Sequence, residues 1–287
     1  RYDGNEIRHY TLNETIESID QVLSFTVMDV DKKGRLWVAL RNGRIYCYDK
    51  LRDAFCLQAD LSRFISFPVL NGMEFEGEEG LWLSTSTGVY YWDKATDVLS
   101  PAGFTGEWTN CIIRAENDAF FVGTNTGVYR MKRTGTACQL SKERVDMPVE
   151  ARIETLFLYG DKLYVGTFSN GAFVVELATK QMKSLTFIPG IPVRVFAYDG
   201  DHSILIGADG AGVFRIDVAD ETLLNHYITD EDDERSLNGN TVSDICVDEY
   251  GGVWITTCTN GISYLDPNVP DVRWIRHERN NSSSLAS

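Results

Sequence analysis

The chain repeats itself. Aligning on the second residue of a short apolar dipeptide gives Leu36-Trp37, Leu81-Trp82, Phe120-Phe121, Leu163-Tyr164, Ile204-Leu205 and Val253-Trp254, with successive spacings of 45, 39, 43, 41 and 49 residues. A small-residue turn follows each anchor in step, ending in Gly43, Gly88, Gly127, Gly171, Gly212 and Gly261. An alternating apolar segment precedes most anchors, as in "FTVMDVD" at Phe25, "CIIRAEN" at Cys111 and "VRVFAYDG" at Val193. Alternation of this kind indicates strands, and no segment sustains a helical period. A third strand such as "GVYYWDK" and a weaker fourth such as "AFCLQ" or "LLNHYIT" complete each unit.

Four short antiparallel strands cannot bury both faces alone, so the units must stack on one another. The arrangement that does this while protecting sheet edges is a β-propeller, with one unit per blade. The recurring aromatics Trp37, Trp82, Phe121, Tyr164 and Trp254 then fill the space between neighbouring blades. The recurring glycines supply the backbone freedom of tight inter-strand turns.

The two ends bear on the blade count. "RYDGNEIRHYT" matches the second half of a unit, with Arg1-Tyr2-Asp3 as a third-strand ending and Ile7 to Thr11 as a fourth strand. "ERNNSSSLAS" at Glu278 matches "DDERSLNGNTVSDI" at Asp232, the approach to a further first strand. The expectation is a single all-β propeller domain over 1–287, with a partial repeat at 1–20, six repeats over 21–280 and a connection toward another repeat at 281–287. Six units and one remnant favour seven blades, the terminal one incomplete or unusually closed; six blades with an added N-terminal strand is the alternative.

Composition removes several function classes. Forty-two acidic against 27 basic residues give a net charge of -15, which opposes nucleic acid and anionic membranes as partners. No apolar run approaches the roughly 18 residues that span a bilayer. The six cysteines form no CxxC and the four histidines do not cluster, so no metal site or cofactor is expected. Cys47 and Cys56 fall on successive outer strands of one hairpin, where either two free thiols or a cross-strand disulfide fits. The acidic run "TDEDDERS" at Thr229 lacks calcium-loop spacing and reads as a solvated connection.

The wording "GRLWVALRNGRIYCYD", "GLWLSTSTGVYYWD", "AFFVGTNTGVYRM", "KLYVGTFSNGAFVVEL" and "GGVWITTCTNGISYLDP" resembles the two-component regulator propeller repeat. The resemblance covers nearly all of the chain and weakens in "SILIGADGAGVFRIDV", where Leu205 replaces the aromatic and Ala208 the usual threonine. It implies the periplasmic part of an inner-membrane hybrid two-component histidine kinase. The implied partners are an adjacent propeller, the remaining receptor domains, a receptor homodimer and an oligosaccharide that controls polysaccharide utilisation; membrane attachment would come from other domains.

No kinase or receiver motif is present, so the expectation for this chain is a noncatalytic sensor domain. One alternative is a structural or dimerisation propeller whose ligand binds elsewhere. The other is a glycan-processing enzyme, which would need two facing carboxylates. For a ligand site, the positions that vary on the recurring scaffold are the candidates: Arg41, Asn125, Phe168, Asp209 and Thr259 just before the turn glycines, and Trp108 just before a first strand.

Overall fold

The computed structural model describes residues 8–10, 12, 25–66, 69–116, 118–133, 140–230, 232–233, 235–266 and 272–275. The chain divides into two units, Tyr10–Ile153 and Arg1–His9 with Glu154–Ser287.

The first unit carries three four-stranded sheets in simple chain order. They are β1 (Phe25–Val30), β2 (Leu36–Leu40), β3 (Arg44–Asp49) and β4 (Ala54–Asp60); then β5 (Leu70–Glu76), β6 (Gly80–Thr85), β7 (Gly88–Asp93) and β8 (Val98–Gly103); then β9 (Thr109–Arg114), β10 (Ala119–Thr124), β11 (Val128–Arg133) and β12 (Leu140–Arg144).

The second unit repeats the plan. Its sheets are β13 (Ile153–Tyr159, whose first residue closes the other unit), β14 (Lys162–Thr167), β15 (Ala172–Glu176) and β16 (Met182–Ser184); then β17 (Val193–Tyr198), β18 (Ser203–Ala208), β19 (Gly212–Asp217) and β20 (Leu223–Tyr227); then β21 (Val242–Val247), β22 (Val253–Thr257), β23 (Gly261–Leu265) and β24 (Val272–Ile275).

The described residues thus make six propeller blades, not seven. The first and last sheets each already have four strands, so neither needs a strand from a partial repeat. Residues 8–10 lie outside any strand. Tyr10 instead sets its ring edge-on against Tyr48 and Phe55, with centroids at 5.6 and 5.8 Å, and donates its hydroxyl to Asp53 at 2.9 Å. A lone aromatic docked on a hairpin resembles a fourth strand in its sequence, but it adds no ladder. The rest of the proposed remnant, and the segment beyond Ile275, fall outside the described residues.

Alternation along the second strand of each blade explains the apolar dipeptides. Trp37 is 1% exposed and packs forward on Phe75 of the next sheet, centroids 5.5 Å apart, while Leu81 and Leu83 of that sheet face back into the same cluster. Trp82 meets Phe120 at 4.8 Å, and Tyr164 meets Phe196 at 5.9 Å. Phe121 is buried between Ile113 and Arg130 on the flanking strands. Leu205 fills the aromatic position in a cluster with Val242, Ile245 and Val253. Trp254 is half-buried and packs its ring at a tilt against Tyr264, centroids 4.5 Å apart. Burying one large ring removes ~200 Å² from water, an upper bound of about 5 kcal/mol.

The turns between second and third strands are held by a shared device. The buried hydroxyls of Thr85, Thr124 and Thr167 donate to the carbonyls of Gly88, Gly127 and Gly171 at 2.8 to 2.9 Å, and Thr257 donates to Gly261 at 3.2 Å. All six recurring glycines, Gly43, Gly88, Gly127, Gly171, Gly212 and Gly261, have positive φ.

Candidate functional site

At the end of the blades that carries these turns, the ladders of the innermost strands are interrupted. Register shifts leave one extra residue in β1, β5, β9, β17 and β21, and that residue is Thr26, Asn71, Asn110, Arg194 and Ser243 respectively. A β-bulge re-aims a side chain out of the strand's alternation. In β5, β9, β17 and β21 the bulged residue is polar: Asn71, Asn110, Arg194 and Ser243.

In the first unit the Asn71 bulge is tied to the neighbouring blade. Asn71 donates its amide to the Thr109 carbonyl at 2.8 Å. Buried Thr109 donates to the carbonyls of Thr85 and Gly88, and accepts from the Thr85 amide at 2.9 Å. These bonds fix the chain on both sides of Thr109. Trp108, 41% exposed, stands before it, and Asn110 after it donates to the side-chain oxygen of Asn125 at 3.1 Å. One blade therefore carries a bonded pair of carboxamides and, two residues before the first of them, an exposed indole.

In the second unit Arg194 is gripped from two elements. It donates to Glu154 of β13 at 2.6 Å and to Asp209 of the β18–β19 turn at 2.8 Å. Burial works against the guanidinium charge, but the two carboxylates outweigh it and hold its pKa above the ordinary arginine value. Asp209 is fixed in turn: its amide donates to the Pro192 carbonyl at 2.8 Å and its backbone pairs with Thr241. Ser243, the bulge residue of the following blade, shares a hydrogen bond with Thr256 at 3.0 Å.

Of the six candidate residues, Asn125 thus bonds to Asn110, Trp108 stands two residues before Asn110 in the chain, and Asp209 joins Arg194. Arg41, Phe168 and Thr259 sit exposed on the corresponding turns of their own blades. Sequence reasoning overlooked Asn71, Asn110, Glu154, Arg194 and Ser243. The signal was a polar residue at the second position of each inner strand, as in "LNG", "TNC", "VRV" and "VSD".

The chemistry of these groups is hydrogen bonding and stacking. Glu154 and Asp209 both clasp one guanidinium, an arrangement that neutralises charge and does not poise an acid against a base. In the acidic segment after β20, Asp230 accepts from the Asp232 amide and Asp233 from the Arg235 amide, each at 3.0 Å. Among the described residues no group of three or more His, Cys, Asp or Glu side chains is arranged to hold a metal ion, and no helix is long and apolar enough to cross a membrane.

Residues 236–259, from the approach to β21 through the turn after β22, match the family model described as two component regulator propeller. Two solved structures from B. thetaiotaomicron share this chain's fold. One, described as the extracellular domain of the one component system BT4673, is 22% identical with a TM-score of 0.71, over 88% of this chain and 34% of that one. The other, described as the extracellular domain of the hybrid two component system BT3049, is 22% identical with a TM-score of 0.70, over 94% and 37%. The chain therefore spans about a third of the length of these relatives. The computationally designed Ika8 protein, 12% identical, matches over 91% of this chain and 89% of its own with a TM-score of 0.60. No curated protein matches the chain in sequence.

Proposed function

We propose that this chain is a noncatalytic, periplasmic sensor domain of a hybrid two-component receptor and contributes to recognition of an oligosaccharide that regulates polysaccharide utilisation. The observation that carries the ligand is the set around Thr109. Trp108 offers an exposed ring face, on which the C–H face of a sugar stacks, and Asn110 and Asn125 offer carboxamides that both donate to and accept from hydroxyls. The repeat at 236–259 and the fold shared with extracellular receptor regions support the receptor context. Its partners on this reading are an adjacent propeller, the other receptor domains and a second receptor in a homodimer.

The test is calorimetric titration of the folded chain with a panel of oligosaccharides. Saturable binding without turnover is the expected result. Glycan cleavage by the pure chain would overturn the noncatalytic reading. Failure to bind, together with binding by a longer two-propeller protein, would leave this chain a structural or dimerisation propeller.

A further inference from the structure

Cys47 in β3 and Cys56 in β4 are directly opposed in the antiparallel ladder, inside an unbroken run of pairs from Tyr46↔Leu57 to Tyr48↔Phe55. Directly opposed residues project to the same face of a sheet. Their Cα atoms stand about 4.5 or 5.5 Å apart according to the kind of pair, and both values fall within the ~4.4 to 6.8 Å that a disulfide accepts. Both thiols are free in this structure. Among the described residues no other cysteine faces a cysteine: Cys111 is opposite Gly123 and Cys246 opposite Trp254.

The surroundings give the two sulfurs different access. Cys47 is 7% exposed and lies in the core cluster beside Trp37, its partner on the other flank. Burial pushes its thiol pKa up. Cys56 is half-exposed on the outermost strand, and the Arg52 guanidinium donates to its sulfur at 3.8 Å, which places positive charge at the sulfur that solvent reaches.

We propose that Cys47 and Cys56 are a dithiol–disulfide site on the outer edge of the first blade, closed by exchange with a disulfide oxidant. The Cys56 thiolate attacks one sulfur of the oxidant, the oxidant's S–S bond breaks, and one oxidant thiolate leaves. The Cys47 thiolate then attacks the Cys56 sulfur of the mixed disulfide, and the second oxidant thiolate leaves. Two cysteine thiols are oxidised and one oxidant disulfide is reduced to two thiols, which take up the two protons released. The site goes beyond the sensor reading and does not depend on it, since compartment decides only which oxidant the pair meets.

The experiment treats the folded chain with oxidised glutathione, blocks remaining thiols with iodoacetamide and digests with trypsin without reduction. Trypsin cuts after Lys50 and Arg52, between the two cysteines. A closed site therefore appears as residues 45–50 joined to residues 53–63, about 2 Da lighter than the two reduced peptides together. Reducing agent before blocking should abolish that species. Recovery of both peptides separately alkylated would overturn the proposal. So would glutathione retained on Cys56, or a link from either cysteine to a different one. Cys56→Ser keeps the result interpretable: in the folded variant, checked by circular dichroism, Cys47 should remain unmodified by oxidised glutathione. Rapid modification of Cys47 in that variant would remove the assigned order of attack and overturn the mechanism.

Discussion

The indole N–H of Trp37 donates to the Asp31 carboxylate, six residues upstream, at 2.9 Å. Trp254 makes the same bond to Asp248 at 2.9 Å, and Trp82 makes it to Glu76 at 3.1 Å. Asp31 and Asp248 also accept from backbone amides of the turn between the first two strands of their blades, so ring and turn are held by one side chain, whereas Glu76 accepts from the Arg133 guanidinium at 2.7 Å instead. Asp31 also accepts from the amides of Lys33 and Arg35 and from the Arg35 guanidinium.

This network predicts a pH dependence. Burial of Asp31 works to raise its pKa, but the donors from Arg35, Trp37 and Lys33 outweigh it and hold it at about 2. A carboxyl depressed on folding stabilises the protein above its unfolded pKa of about 3.9, and that contribution disappears as pH falls through the folded value. Asp31→Asn should cost about 2 kcal/mol at pH 7 and flatten the loss of stability between about pH 4 and pH 2. Urea unfolding of both proteins at a series of pH values checks this; parallel curves would refute it.

Blade five lacks the tryptophan and keeps the acid. Asp199, 7% exposed at its side chain, receives Arg215 at 2.8 Å instead, and Arg215 stands opposite Leu205 in the ladder. Ser203 also accepts from Arg215 at 2.7 Å. Removing the guanidinium leaves a buried carboxylate without its cation, so Arg215→Leu should destabilise by about 3 kcal/mol. Asp199→Asn in the same background should recover part of that loss, measured by chemical denaturation.

Two glycines of one turn separate sterics from conformation. Gly212 has φ +72° and a Cβ there would stand 2.1 Å from the Tyr227 carbonyl oxygen, whereas Gly210, at φ +93°, has nothing within 4 Å of its Cβ position. Gly210→Ala should cost about 1 kcal/mol for its backbone conformation alone. Gly212→Ala adds a clash with backbone and should cost at least ~3 kcal/mol more, read from urea midpoints.

On the proposed sugar set, Trp108→Ala and Asn125→Ala should each weaken oligosaccharide binding about tenfold, equivalent to ~1.4 kcal/mol. Both side chains are exposed, so stability should stay within about 0.5 kcal/mol of the parent. Titration calorimetry and thermal melts read the two effects separately. Unchanged affinity in both variants would place recognition elsewhere.

Much of the fold is legible in the residue order. The spacing of Trp37, Trp82 and Tyr164, with a positive-φ glycine after each, specifies strand, turn and strand locally, because alternation and turn chemistry act over a few residues. The count of blades was less legible. Tyr10 sits in wording that resembles a fourth strand, and whether it pairs or merely docks depends on Tyr48, Asp53 and Phe55, some 40 residues away.

The candidate site was legible at its turns and hidden at its bulges. Asn125 and Asp209 stand out as variable neighbours of recurring glycines. Asn110 and Arg194 do not, since a one-residue register shift leaves almost no mark on an alternating pattern. The sequence by itself determined the repeating four-strand unit, since its periodicity is a property of neighbouring residues. Only the tertiary structure decided that Arg194 lies between Glu154 and Asp209, because packing between blades is set by contacts between residues distant in the chain; for Cys47 and Cys56, which the sequence placed on one hairpin, it decided the register that sets them directly opposite.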